Sequence, residues 1–487
     1  LADPFTSPQG ETARGFMITS RAFENCEVGV FGLARSGLSA IASLKSGGAR
    51  IYAWDESEEA RVQASNGGAV VAPFASWPWE RVKALVLSPG IPLTHPRPHD
   101  VVTAAQRAGA AVIGDVELFA REIRPERKQS GRAPVIAVTG TNGKSTTTAL
   151  IGHLLTSCGF AAQVGGNIGK PALDLAPPTG RTIYVLEMSS YQIDLAPGLI
   201  PDIAVLTNIS PDHLERHGSL ENYAAVKARL LEHTSAEGDV VVGVDDSRSA
   251  AIYSPLALAR REQAVPVSVG KVLGRGVFAV DGVLYDAWNG RASRVMDLAR
   301  AAHLPGTHNW QNAALAYAAV KPIVQDPRAI AAAIASFPGL AHRIEEVQRI
   351  GPVRFVNDSK ATNADAAARA LACFNDIFWI AGGRPKAGGI DLLLQYAPRI
   401  RKAYLIGEAT DAFARTLRSH VPFEAAGTLD NAVASAFADA LRSGVPAPIV
   451  LLSPACASFD QFKDFEERGE RFRALVGELA RFAKEAS

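Results

Sequence analysis

Cysteine is scarce: only Cys26, Cys158, Cys373 and Cys456 occur among 487 residues, with no CxxC pair and no dense framework for disulfides. Free thiols in a reducing compartment are the expectation, which places the protein in the cytoplasm. Charge of one sign is also missing, since 50 Lys plus Arg face 49 Asp plus Glu. No global field steers such a chain to nucleic acid or to an anionic membrane, and a small-molecule enzyme fits better. Long apolar runs are absent as well; no uncharged apolar stretch reaches the roughly 18 residues of a membrane span, and the first residues lack a basic-then-apolar signal pattern. No membrane insertion is expected. Short-period repeats, low-complexity tracts and coiled-coil heptads are not found either.

What is present is length and rhythm. A chain of 487 residues exceeds one hydrophobic core and suits two to four domains. Residues 1–24 are rich in Pro, Gly, Ser and Thr and read as a mobile tail. From Val28 short apolar runs alternate with helical stretches: VGVFG, a helix over about 36–45, ARIYAWD, then KALVLSPGIP. That alternation predicts an α/β domain with a parallel sheet, over residues 25–130, closed by the charged linker RPERKQSGRAP. A second α/β region starts at VIAVTG and includes RTIYVLEMSS, DIAVLTNIS and DVVVGV, giving a central domain over 131–338. The strands VRFVN, DIFWIAGG, KAYLIG and PIVLLSP then predict a third α/β domain over 339–487. Each strand run ends in polar residues, and ligands of open α/β sheets bind at those carboxyl ends.

The strongest local signal is VIAVTGTNGKSTTTALIGHLL, a β-branched run, a glycine turn and a helix opened by Lys144, Ser145 and Thr146. The unpaired N–H groups and the dipole of a helix start attract phosphate. Gly140 and Gly143 let the backbone of Thr141 and Asn142 close around phosphate oxygens, Lys144 reaches the outer phosphates, and Ser145 can ligate Mg²⁺. Val138 stands where the strict phosphate-loop pattern wants glycine, so the loop is a shorter variant. An ordinary strand-to-helix turn is the bland alternative, weakened by the Lys-Ser-Thr order.

Glu187 ends the run YVLE, where a buried carboxylate needs a cation. His213 follows another strand end, and Lys227 sits on the next helix. Taken singly, each is more often a cap, a surface residue or a solvated lysine. Together they would project from the sheet edge that carries the phosphate loop. The motifs GTNGKST, GGNIG (165–169), LEMSSYQ (186–192), NISPDHLERH (208–217), YAAVKAR (223–229), GTHNWQNAAL (306–315), LAHRIE (340–345) and NDSKATN (357–363) resemble the ATP-dependent muramoyl ligases, from about Val28 to the C-terminal helix.

The resemblance implies a Rossmann-like N-terminal domain for a UDP-linked precursor, a central phosphate-loop ATPase-type domain, and a Rossmann-like C-terminal domain for an amino acid. It implies a monomer and two Mg²⁺ sites, one on Ser145 and Glu187, the other on His213 and a CO₂-derived carbamate on Lys227. Asn309, Asn312, Arg343, Asp358 and Lys360 become ATP contacts. Leu33, Ala34, Arg35, Asp55, Glu56, Ser88, Pro89, Gly90, Asn167 and Ser189 become precursor contacts. The segment LSPACASFDQFKDFEERG (452–469) resembles the D-glutamate-adding branch. The implied substrates are UDP-N-acetylmuramoyl-L-alanine and D-glutamate, the latter held by Thr362, Lys386 and Ser458 with Phe465 packed beside it. Pro385 in GGRPKAGG departs from the commoner acidic residue.

Three rival functions stand beside this one. Gly29, Gly32 and Gly37 with Asp55 invite a nicotinamide-dependent oxidoreductase, but they miss the G-x-G-x-x-G order and leave GTNGKST unexplained. The phosphate loop alone permits a nucleotide-hydrolysing regulator. A folylpolyglutamate-type ligase, or a muramoyl ligase for another amino acid, shares the central domain; the former lacks the 452–469 pattern and a separate UDP domain.

Overall fold

The computed structural model describes residues 17–129, 134–385 and 388–485. Three sheets are present, of five, nine and six strands. Most pairings are parallel. Central strands such as Val135–Thr139 and Ile449–Leu452 are buried at every position. Parallel strands covered on both faces by helices are uniformly apolar for this reason. Each fully buried Val or Leu contributes roughly 1.5–3 kcal/mol.

The five-stranded sheet runs Val70–Val71, Arg50–Trp54, Glu27–Phe31, Val82–Leu87, Ala111–Ile113, all parallel. Strand order reverses beside Glu27–Phe31, so the turns after it and after Val82–Leu87 meet at the carboxyl edge. The nine-stranded sheet places Val135–Thr139 between Ile203–Leu206 and Thr182–Glu187, with Ala161–Gly166 outside the latter. Beyond Ile203–Leu206 come Asp239–Gly243 and Ala264–Val269, and then Gly276–Val280, Val283–Ala287 and Ser293–Asp297, the last two joined in antiparallel fashion. The six-stranded sheet runs Glu345–Ile350, Val353–Asn357, Ile449–Leu452, Ile377–Gly382, Ile400–Ile406, Phe423–Gly427, with only its first pairing antiparallel.

By contacts the chain forms two compact units, residues 1–300 with 309–336, and residues 301–308 with 337–487. The first two sheets thus share a unit, because one apolar cluster runs from Val28 and Ile41 through Phe119 and Leu173 to Tyr184 and Leu206. Phe119 meets Tyr184 edge to face at 5.1 Å. The expected boundary at 130/131 lies outside the described residues, and apolar faces on either side of it pack together.

The reading of residues 1–24 as a tail needs correction where the chain is described. Ile18 and Phe23 are buried in that same cluster. The Ile18 N–H donates to the Leu173 carbonyl at 3.0 Å, and Glu122 accepts from the N–H groups of Arg21 and Ala22 at 2.8 and 2.9 Å. A Cβ on Gly47 would lie 1.7 Å from the Ser20 carbonyl oxygen, so glycine is what lets this segment dock. Among the described residues no helix is long and apolar enough to cross a membrane.

Candidate active site

The phosphate-loop segment folds as its sequence implies, with the helix Lys144–Ser157 starting directly after Gly143. Gly143 is left-handed at φ 82°, and a Cβ there would meet the Asn312 side chain at 2.3 Å. Gly140, at φ 141°, would meet Thr207 Oγ1 at 1.9 Å. Both glycines are thus fixed by conformation and by space. The end of the neighbouring strand pins the loop: Thr141 N–H donates to the Asn208 carbonyl (2.8 Å), Asn142 N–H to Asn208 Oδ1 (3.0 Å), and Thr207 Oγ1 to the Asn142 carbonyl (2.6 Å). Lys144 Nζ donates to the Thr141 carbonyl at 2.8 Å, Ser145 is buried, and Thr146 is half-buried. Asn312 Oδ1 accepts from Thr147 Oγ1 at 3.2 Å, and its amide donates to Asn309 Oδ1 at 3.0 Å. Two of the predicted nucleotide contacts therefore adjoin the loop.

Glu187 closes the adjacent strand with 2 % exposure. Its Oε1 accepts from Asn167 Nδ2 at 2.8 Å, whereas Oε2 is buried without a hydrogen-bond partner. A buried, half-satisfied carboxylate beside a phosphate-type loop is the donor chemistry that a hard divalent cation requires. The first predicted metal site fits on that observation. Asn167, predicted to touch the precursor, also orients this carboxylate.

Lys227 is 1 % exposed on the helix Leu220–Glu232. Its amine donates to Thr139 Oγ1 at 3.3 Å and lies 4.7 Å from the Tyr223 ring centre. Burial, reinforced by the charge of Lys144, holds the Lys227 amine well below the ordinary lysine range, against the pull of Asp212 and Glu187. A lowered amine more readily sheds the proton that blocks addition to CO₂, so the carbamate expectation fits this pocket. His213 is the exposed, left-handed residue (φ 53°) that opens the one-turn helix Leu214–His217. Its neighbours are Asp212 (3.4 Å), Glu215 (3.7 Å) and the Tyr191 ring (5.1 Å). Among the described residues no group of three or more His, Cys, Asp or Glu converges as a metal cluster. On the expectation from the sequence, His213 and the modified Lys227 would hold the second cation.

The turns after the first and fourth strands of the chain meet as the topology requires. Ser88 N–H donates to the Phe31 carbonyl at 2.9 Å, and a Cβ on Gly32 would lie 2.5 Å from that of Ser88. Asp55 accepts from Leu33 N–H (2.6 Å) and Ser57 N–H (2.8 Å), so it shapes the turn that carries Leu33 and Ala34. Glu56 lends its carbonyl to Arg61, and Arg35 reaches the Gly169 carbonyl at 3.2 Å. Pro89 and Gly90 present their carbonyls to Arg216. Ser189 forms a capping box with Gln192 and so has a helix-starting role independent of any ligand.

In the second unit Asp358 is buried, accepting from Ser453 Oγ at 2.8 Å and from Ile344 N–H at 3.2 Å. Burial pushes its carboxyl up to about 7, against these hydrogen bonds and the charges of Arg343 and Arg468. Arg343 lies between His342 and Ile344, both at positive φ (62° and 46°). A β-branched residue there is strained, and the bond to Asp358 helps hold the turn that aims Arg343. Lys360 Nζ stands 4.7 Å from the Phe465 ring centre. The Phe465 carbonyl accepts from Ser359, and buried Ser458 accepts from the N–H groups of Gln461 and Phe462. Thr362 is half-buried beside them, its N–H on the Lys360 carbonyl at 2.9 Å. Lys386 lies outside the described residues.

Sequence reasoning missed the partners that make these groups work. Thr139 and Tyr223 position Lys227, Asn208 braces the loop, and Ser453 holds Asp358. Asn208 and Ser453 stand inside motifs that were singled out, but hydrogen bonds across strands leave no mark in one sequence.

Residues 138–320 match the Mur ligase middle domain. A UDP-N-acetylmuramoylalanine–D-glutamate ligase of a Caulobacter species is 52% identical over 467 residues, covering 96% of this chain and 99% of that protein. The enzyme of the same name from Phenylobacterium zucineum is 52% identical, over 95% and 98%. The chain belongs to the Mur ligase family. The fold agrees: a MurF structure from Acinetobacter baumannii superposes with a TM-score of 0.57 at 17% identity, over 98% of this chain and 95% of that one. In this chain the phosphate loop and Glu187 follow neighbouring strands at one sheet edge, and Lys227 reaches Thr139 there from a helix.

Proposed function

We propose that this chain joins D-glutamate to UDP-N-acetylmuramoyl-L-alanine at the expense of ATP, as a cytoplasmic step of peptidoglycan precursor synthesis. The observation that carries this reading is nearly full-length kinship at 52% identity to D-glutamate ligases. The site supports it with a phosphate loop, a cation-seeking Glu187 and a dry Lys227.

A precursor carboxylate oxygen attacks the γ-phosphorus of ATP and ADP leaves, giving an acyl phosphate. The D-glutamate nitrogen attacks that carbonyl carbon, and the tetrahedral intermediate collapses with loss of phosphate. No protein nucleophile is required. The N–H groups of the loop and Lys144 bind and orient the phosphates, and aligning the reactants supplies roughly 7–11 kcal/mol. Asn309 and Asn312 extend that cradle toward the nucleoside, while Leu33, Ala34 and residues 88–90 hold the UDP end. Mg²⁺ on Glu187 and Ser145, and on His213 with carbamylated Lys227, would supply charge neutralisation of the phosphates. Thr362, Ser458 and Lys386 would receive the carboxylates of D-glutamate, hydroxyl and cationic donors being suited to an acidic amino acid.

The test is phosphate release from ATP with UDP-N-acetylmuramoyl-L-alanine present, comparing D-glutamate with L-glutamate, L-lysine, meso-diaminopimelate and no amine. Turnover with D-glutamate alone is expected. Turnover indifferent to the amine would replace the reading with an uncoupled nucleotidase.

A further inference from the structure

Arg216 has no role in the chemistry above, yet both terminal nitrogens of its guanidinium are engaged. One nitrogen donates to the Gly90 carbonyl at 2.6 Å, and the other to the carbonyls of Ile91 at 2.8 Å and Pro89 at 3.4 Å. Its flat face covers the Tyr191 ring at 4.6 Å. No carboxylate pairs with it among the described residues, so its charge is spent on three successive backbone carbonyls and a π face. The fork of an arginine can span such a turn, whereas a lysine's point charge cannot. A second contact runs the same way, since a Cβ on Gly218 would meet the His95 ring at 2.8 Å.

The two ends of this clamp are informative. At one end is the turn 88–91, whose residues 88–90 are read as precursor contacts. At the other, Arg216 stands three residues after His213, and its N–H donates to the His213 carbonyl at 3.0 Å. His213 itself leans on Tyr191, the ring that Arg216 covers and on which His217 stacks at 5.5 Å. His217 is in turn fixed by Ser190 at 2.8 Å. The precursor turn and the His213 loop therefore share one platform, with Arg216 as the link.

We propose that Arg216 is a positioning residue that locks the precursor-binding turn to the loop presenting His213, so that the precursor carboxylate is delivered in register with the phosphate loop. The inference rests on the reading of residues 88–90 as precursor contacts.

The experiment compares wild type with Arg216→Met, Arg216→Lys and Arg216→Ala. It measures precursor affinity by calorimetry without ATP, kcat and KM for each substrate, and ATP-analogue affinity. Expected are a loss in kcat/KM for the precursor on the order of 10- to 100-fold, the range that a misplacement of about 1 Å produces, with ATP affinity within twofold of wild type. Arg216→Lys should recover little, and millimolar guanidinium should restore part of the activity of Arg216→Ala. Wild-type precursor kinetics in Arg216→Met would overturn the proposal. So would an equal loss of ATP affinity, which marks a general folding role. Failure of the wild type to bind the precursor at all would instead remove the functional reading and this inference with it.

Discussion

Asp358 should make the second unit lose stability as pH rises, and Asp358→Asn should abolish that loss. Its folded carboxyl titrates at about 7 against an ordinary value of 3.8, because burial outweighs the bonds from Ser453 and Ile344. A raised acid binds its proton more tightly in the folded state. The favourable contribution is therefore complete below the unfolded value and disappears as pH climbs through about 7. At about 1.4 kcal/mol per unit, the ligand-free unit should weaken by roughly 2–3 kcal/mol between pH 5 and pH 8. Asn keeps an acceptor for Ile344 but cannot ionise. Hydrogen exchange of the strand Val353–Asn357, second in the six-stranded sheet and paired on both sides, reads opening of the unit without assuming two-state unfolding of the whole chain. The difference between variant and wild type should widen by that amount from pH 5 to pH 8, which cancels the histidines common to both. Parallel pH profiles would refute the assignment. Activity should fall in the variant at every pH.

Two further outcomes concern the central site. Glu187→Gln keeps an acceptor for Asn167 but removes the buried oxygen that has no partner; turnover should fall by about 100-fold or more and the Mg²⁺ requirement should rise, while urea denaturation without ligands shows no loss of stability. Lys227→Ala should be inactive and partly rescued by small carboxylates, and the wild type should lose activity as acid protonates the buried amine and regain it with bicarbonate; full activity of the Ala variant would remove the carbamate from the mechanism.

The parts of the site that sequence makes legible are those set by contiguous residues. The phosphate loop is one such part, because Gly140, Gly143, Lys144 and Ser145 lie on a single strand–turn–helix whose geometry follows from their order. Glu187 is legible as a strand end, and the three α/β series follow from alternating apolar runs. Other features depend on where separate segments meet. Asp55, expected as a precursor contact, also accepts from Leu33 and Ser57, which its place at a strand end does not announce. Ser189 looks like a ligand contact and caps a helix with Gln192. Ile18 and Phe23 are too sparse to give a periodic signal, and only Leu173, Ser43 and Glu122, distant in sequence, show why residues 17–24 are held. Arg216 sits in full view within NISPDHLERH, but the carbonyls that it clamps lie about 125 positions earlier.

The division of labour between the two lysines of the central site follows from burial. Lys144 stands half-buried at the mouth of the loop and donates to a backbone carbonyl there, a setting that suits a cation meant for phosphate. Lys227 is sealed beneath it against Tyr223 and Thr139, where a second ammonium would face both desolvation and the first charge. Burial and the neighbouring charge both favour the uncharged form of the inner amine. The uncharged form is also the one that would take up CO₂, and the resulting anion would reverse the sign of the inner position. On the proposed reading, the same burial that disfavours an inner cation prepares a site where one lysine would attract phosphate and the other would become a ligand for a metal.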